Sequence, residues 1–317
     1  MRLLLILALA PAQAGAFSLQ MPIECTLGDT CHIQQYMDRD PGPGHTDFTC
    51  GLLSYDGHNG TDFALSTLSA MQKGVAVLAA GTGIVKGVRD GMPDISTRDP
   101  GAPALQGRDC GNGLVIDHGN GWETQYCHMA NGSVQVKPDQ TVTAGQPLGR
   151  VGLSGNTEFP HLHLSVRHNG DPIDPFDPDG ADSCGPGPKA ALWAVDIPYT
   201  PGGLLGFGLS DAVPDYAALR AGLPLAPVTS HSQAMVIWAY YFGAQVGDVL
   251  TLSITGPDGG TILAQDVTLD RTQSLGFRAV GKRLRGADWP VGDYQLRVNW
   301  ARHGKEIDRA EATQPLR

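Results

Sequence analysis

The hydrophobic pattern of this chain falls into two series of short apolar runs broken by glycine. Both carry the two-residue period of strands. In the first half, Val75 to Ala80, Gly83 to Val88, Leu114 to Asp117, Glu123 to His128, Val134 with Val136, Leu148 to Val151 and Leu162 to Arg167 are candidate strands. Asn120-Gly121 lies between two of them and is a hairpin turn signal, because both residue types accept positive φ. No helical periodicity competes in that half. From about residue 229 a second series begins: Met235 to Phe242, Val249 to Thr255, Thr261 to Val267, Ser274 to Val280, Tyr294 to Trp300 and Glu306 to Ala312. Turn signals such as Gly256-Pro-Asp-Gly-Gly260 separate these runs, and the spacing predicts a small Ig-like β-sandwich.

The expected organisation is a mainly β protein with two folded units. Residues 17–55 are irregular, carry three cysteines and read as a disulfide-pinned N-terminal segment. Residues 56–180 form the first β unit, and 181–228 a linker rich in Gly, Pro and Ala with one short helix near Tyr216 to Ala221. Residues 229–317 form the C-terminal sandwich, whose role is not readable and whose generic expectation is docking or substrate recognition. The Gly/Pro/Asp-rich stretch between Arg89 and Gly113 reads as a long surface loop. Such loops in compact domains are usually functional, so it is expected to wall a groove.

Composition narrows the setting. Residues 1–16 have the form of a secretory signal peptide. Arg2 is a positive start, Leu3 to Ala10 is apolar, and Ala12-Gln-Ala14 or Ala14-Gly-Ala16 offers a small-x-small cleavage site. That apolar run is far short of the ~20 residues that span a bilayer, so the mature chain is expected to lack a transmembrane segment and to be periplasmic or secreted. The six cysteines agree with an oxidising compartment. Expected pairs are Cys25–Cys31 as a local loop, Cys110–Cys127 across a hairpin and Cys50–Cys184 clasping one domain. The net charge of −10, with no cluster of Lys and Arg, argues against nucleic-acid partners and anionic membrane surfaces.

Candidate chemistry lies in three separated segments. In His161-Leu-His163-Leu-Ser-Val the two histidines share one strand face while the leucines turn to the core. In Tyr55-Asp-Gly-His58-Asn-Gly-Thr-Asp62 the glycines disfavour a helix, and a tight turn feeding a strand can bring His58 and Asp62 to one ion. His128 ends a strand. His118, in the hairpin, reads as turn chemistry. Imidazole and carboxylate are the ligands zinc takes in hydrolytic sites.

Together these segments resemble the lysostaphin/LytM-type zinc endopeptidases, whose signature is His-x-x-x-Asp followed by His-x-His. The likeness also covers Asp117-His-Gly-Asn-Gly-Trp-Glu-Thr-Gln-Tyr-Cys-His128 and Gly145-Gln-Pro-Leu-Gly-Arg-Val-Gly-Leu-Ser-Gly155, and extends over roughly residues 50–177. It implies that His58, Asp62 and His163 bind one Zn2+ and that His128 and His161 are catalytic without being ligands. Which of these two is the base stays open. It further implies an antiparallel β catalytic domain and a substrate of peptidoglycan peptides. Two alternatives are a secreted protein-directed endopeptidase and a non-catalytic murein-binding activator of other wall hydrolases. Thr157-Glu-Phe-Pro160 departs from the family, which commonly has glycine shortly before His-x-His, so the groove wall beside His161 is expected to differ.

Overall fold

A computed structural model describes residues 17–180, 184–185 and 190–317; residues 1–16, read above as a signal peptide, lie outside the described residues. The chain is mainly β. Its first unit contains β1 (His32–Gln35), β2 (Thr61–Ala64), α1 (Leu68–Lys73), β3 (Ala76–Leu78), β4 (Gly83–Arg89), β5 (Asn112–Gly119), β6 (Trp122–Met129), β7 (Thr141–Val142), β8 (Pro147–Arg150), β9 (His161–His168) and β10 (Asp171–Ile173). All but β3 and β8 join one antiparallel sheet in the order β1-β2-β9-β6-β5-β4-β7, with β10 on β9; β3 and β8 pair beside it.

Apolar residues spaced by two along the strands close the core, among them Leu162, Leu164 and Val166 of β9 and Leu114 and Ile116 of β5. The β5–β6 turn has φ of 50° at Asn120 and 82° at Gly121, the geometry expected of that pair. The segment 17–55 is more than a lead-in. Its β1 edges the main sheet, and Leu19, Ile23, Ile33 and Tyr36 belong to the same core. Val134 and Val136 are not in a strand, although Gln135 N–H still donates to Leu148 O at 2.8 Å. Helix α1 also departs from the all-strand expectation. Thr67 caps its start and Gly74 its end, but it buries none of its residues, so it has no apolar stripe to announce it.

The three expected disulfides are present: Cys25–Cys31, Cys110–Cys127 and Cys50–Cys184. The 90–113 loop is tied down by its aspartates. Asp90 accepts from Gly132 and Val134 N–H, and Asp94 accepts from Asn131 and Leu153 N–H.

The C-terminal half comprises β11 (Gly203–Ser210), α2 (Tyr216–Ala221), β12 (Ala234–Ala244), β13 (Val249–Thr255), β14 (Thr261–Thr268), β15 (Gln273–Arg283), β16 (Gly292–Arg302) and β17 (Lys305–Leu316). The sheets β11-β12-β15 and β14-β13-β16-β17 face each other across a core that includes Ile237, Leu252, Val298 and Trp300. The connecting segment is therefore not all linker: β11 pairs with β12 along its length. The two halves also touch. His32 packs on Phe242 with ring centroids 4.2 Å apart, and Gln35 Nε2 donates to Ser274 Oγ at 2.9 Å.

Candidate active site

The site grows from the centre of the main sheet. Strand β9 lies between β2 and β6, with Asp62 opposite His163 and Ala64 opposite His161. Facing residues on neighbouring strands share a face, so His161, His163 and Asp62 converge there. His58 arrives from the turn before β2. Gly57 N–H donates to Asp38 Oδ2 at 2.9 Å, and Asp38 N–H donates to His58 O at 2.7 Å, which holds that turn. Gly60 is required: a Cβ there would lie 2.6 Å from His163 Nε2 and 2.7 Å from Leu164 O.

His128 reaches the site by a backbone device. Cys127 is the register partner of His163, so on a regular strand the next side chain would point to the opposite face. His128 has φ of 61°, the left-handed region that non-glycine residues rarely adopt, and this re-aims its ring. Its ring centroid lies 4.7 Å from that of His161 and 5.9 Å from that of His163. The Cys110–Cys127 bond and the His128 N–H to Cys110 O contact (2.8 Å) clamp the turn.

Three donor atoms meet: His58 Nε2 to Asp62 Oδ1 is 3.2 Å, His58 Nε2 to His163 Nδ1 is 3.1 Å, and His163 Nδ1 to Asp62 Oδ1 is 2.8 Å. A tetrahedral ion with bonds of ~2.05 Å sets its ligand atoms about 3.3 Å apart. The observed spacings are close to that, and one of them is tighter. Two imidazoles and one carboxylate leave a fourth position for a water or substrate oxygen. The residues present fit a divalent cation.

The other ring nitrogens fix the tautomers. Carbonyls can only accept, so His58 Nδ1 donates to Tyr36 O (2.7 Å), His128 Nδ1 to Ser154 O (2.8 Å) and His161 Nδ1 to Phe159 O (2.9 Å). His163 Nε2 faces Ser165 Oγ at 2.9 Å. Such outer partners orient metal-binding histidines and leave the inner nitrogen with its lone pair. His58, His128 and His161 thus all present an unprotonated Nε2 inward. Of these four partners the sequence marked only Phe159, and that as groove wall; the part all four play in holding the rings was not legible. Three act through backbone carbonyls, which carry no side-chain signature.

Electrostatics agree. Burial lifts the Asp62 carboxyl, but the charges of His58 and His161 more than offset this and hold it well below the usual carboxylate range. Burial lowers His58, yet Asp62 reverses that and leaves it above the ordinary imidazole value. Burial holds His128 well below that value, and His161 and His163 push the same way. Burial lowers His163 against the pull of Asp62. A buried carboxylate is thereby kept ionised among imidazoles, which suits a cation and would be costly without one. His118 lies within β5 near the hairpin turn, its ring bonded to Thr82 O at 2.9 Å and Thr124 Oγ1 at 2.8 Å, away from the site histidines.

A cleft of about 530 Å3 opens over Asp62, His128 and His161. Thr97 and Arg98 of the 90–113 loop form part of its wall, as does the Asn156–Phe159 turn. Phe159, at the departure from the family pattern, stacks on His161 with centroids 4.4 Å apart.

A β-sheet carrying two imidazoles and a carboxylate around one point, with two spare imidazoles at the mouth of a cleft, offers the donor set that a metal-dependent hydrolase uses. Residues 56–175 match the family model described as Peptidase family M23, and this part of the chain is a domain of that family. The chain is 36% identical over 117 residues to peptidoglycan DD-endopeptidase ShyA of Vibrio cholerae, covering 37% of this chain and 21% of that protein. It is 36% identical over 96 residues to DD-carboxypeptidase/endopeptidase Mpg of Neisseria meningitidis, covering 30% of this chain and 21% of that protein. The match thus spans about a fifth of the length of these curated relatives. Among solved structures, the catalytic domain of the antimicrobial peptidase lysostaphin from Staphylococcus simulans aligns with TM-score 0.28 and 23% identity, covering 44% of this chain and 89% of that one. A zinc-containing peptidase from Vibrio cholerae aligns with TM-score 0.31 and 24% identity, covering 50% and 37%.

Proposed function

We propose that this chain is an exported zinc-dependent endopeptidase that hydrolyses peptide bonds in peptidoglycan cross-links or stems. The carrying observation is the complete set of five side chains, with the tautomers of His58, His128 and His161 fixed: three donor atoms gathered at one point and two further imidazoles with lone pairs beside it. His58 Nε2, Asp62 Oδ1 and His163 Nδ1 hold the ion. When bound, zinc supplies a Lewis acid and lowers the pKa of a coordinated water toward about 7.

The remaining chemistry belongs to the chain. His161 Nε2 lies 3.4 Å from Asp62 Oδ1, at the edge of the ligand set, where it can take a proton from an attacking water. His128 Nε2, whose lone pair also faces inward, is a second acceptor for that proton, and the imidazole that takes it up can then return it to the leaving amine. The hydrogen bonds from Nδ1 to Ser154 O and Phe159 O keep both rings aimed through that exchange. The names of the relatives, both peptidoglycan peptidases, favour a murein peptide as substrate. The three disulfides favour an oxidising compartment outside the cytoplasm. Incubating the zinc-loaded protein with purified peptidoglycan and identifying released muropeptides by mass spectrometry tests the proposal. New free amino and carboxyl ends within stems or bridges are expected, and an unchanged muropeptide profile rules it out.

A further inference from the structure

The cleft over the catalytic residues is not built by the peptidase domain alone. Tyr216 and Arg220 of α2 and Gln273, Ser274 and Leu275 of β15 line it together with Asp62, His128 and His161. Their placement is held by direct bonds. Arg220 Nη2 donates to Glu158 O at 2.5 Å, and Gln35 Nε2 donates to Ser274 Oγ at 2.9 Å. Glu158 lies next to Phe159, whose carbonyl and ring both hold His161. The C-terminal half is therefore fastened to the loop that orients a catalytic imidazole.

The charges in this wall are uneven. Arg98 is paired with the Glu158 carboxylate at 2.6 Å. Arg220 bonds only the neutral Glu158 carbonyl and lies 5.9 Å from the Tyr216 ring centroid; among the described residues no carboxylate pairs with it. It is half-buried, so its charge is only partly screened by water. Ser274 accepts from Gln35 and keeps its own O–H to donate. A guanidinium with spare N–H groups can take a carboxylate, and a free hydroxyl lining the same cleft offers a further donor. The chain as a whole is acidic, with net charge −10, so a guanidinium without a carboxylate partner stands out in this wall.

We infer that Arg220, supported by Ser274 of the C-terminal sandwich, is a specificity-determining residue that pairs a carboxylate of the peptide lying in the cleft. The inference rests on the peptidase reading for its substrate, and it gives the C-terminal half a role in the active site. A peptide with a free carboxylate beside the scissile bond should be preferred over its carboxamide. One charge-assisted contact at a half-exposed site should produce a preference of roughly tenfold.

The test uses the full-length zinc-loaded chain carrying His161→Ala, so that bound peptide is not turned over. It is titrated with a purified muropeptide and with the same muropeptide converted to carboxamides, with and without Arg220→Gln. Glutamine keeps a donor for the Glu158 carbonyl while removing the charge, and an unchanged circular dichroism spectrum and melting temperature show that the fold is retained. A preference of roughly tenfold for the acid form that falls toward unity in Arg220→Gln is the expected result. Equal binding of both forms, a preference that survives Arg220→Gln, or binding of neither form overturns the inference. Cleavage by the chain with His161 intact is scored separately. Cleavage without a carboxylate preference sinks the inference alone, while Arg220-dependent binding without any cleavage sinks the peptidase reading alone.

Discussion

Lowering the pH from 7 to 5 should loosen the contact between β1 and the C-terminal sheet, because His32 must take up a proton there. The ring is buried against Phe242, its Nε2 faces Gln34 Oε1 at 3.2 Å, and its Nδ1 has no partner among the described residues. Burial drops the imidazole from 6.5 to about 4, with the Gln34 bond opposing weakly. The sign follows from which state binds the proton first. As pH falls, the unfolded chain protonates His32 near 6.5 and the folded chain only near 4. The contribution is therefore fully present above 6.5 and drains away as pH falls toward 4. At about 1.4 kcal/mol per tenfold in proton affinity, that gap sets a ceiling of about 3 kcal/mol, of which about 2 kcal/mol is lost by pH 5.

The assay is urea unfolding at pH 7 and pH 5, for the unsubstituted chain and for His32→Leu, both in chelator so that metal release does not add its own pH dependence. Whatever the other groups contribute on acidification is common to both proteins and cancels between them. The unsubstituted chain should weaken by about 2 kcal/mol more. The Gln34 bond lost in His32→Leu lowers stability equally at both pH values and drops out of the comparison. Equal losses in the two proteins would refute the reasoning, provided the denaturant slopes match.

The remaining outcomes are more local. His163→Ala should lose both bound zinc and turnover, whereas His161→Ala should keep about one zinc per chain and lose roughly 10²–10⁴ in kcat, read by metal analysis beside a muropeptide assay. Ser165→Ala removes the partner of His163 Nε2 and should weaken zinc binding by about 10–100-fold in a competition titration, without changing the fold. Replacing Cys50 and Cys184 with serine opens a loop of sequence separation 134 and should cost up to about 5 kcal/mol. Opening Cys25–Cys31, separation 6, should cost about 2 kcal/mol, and denaturant midpoints would rank the two. A chain ending at residue 228 keeps β11 but loses its partner β12, so it should aggregate on size-exclusion chromatography, while one ending near residue 200, which lacks β11, should not.

What could be read from the chain and what could not divide along one physical line. His161 and His163 share a face because a strand repeats every two residues, and the glycines around His58 and Asp62 mark a turn. Both are local rules visible in the residue types. His128 is different: local period places it on the wrong face, and only its left-handed φ, clamped by the neighbouring disulfide, brings it in. The segment His32–Gln35 was unreadable as a strand because all four of its residues are buried and three of them are polar, so no hydrophobic alternation marks it. Gln34 and Gln35 nevertheless line the cleft over Asp62, His128 and His161, and Tyr36 beside them holds His58 through its carbonyl. The same holds for Arg220 and Ser274, which stand far along the chain in segments without catalytic signature. The ligands are written in side chains that must be chemically specific. The groove around them is assembled from an N-terminal edge strand, a loop and a distant sandwich, each contributing polar groups that gain meaning only through contact. A truncated peptidase domain should therefore be able to keep its metal and still lose its choice of peptide.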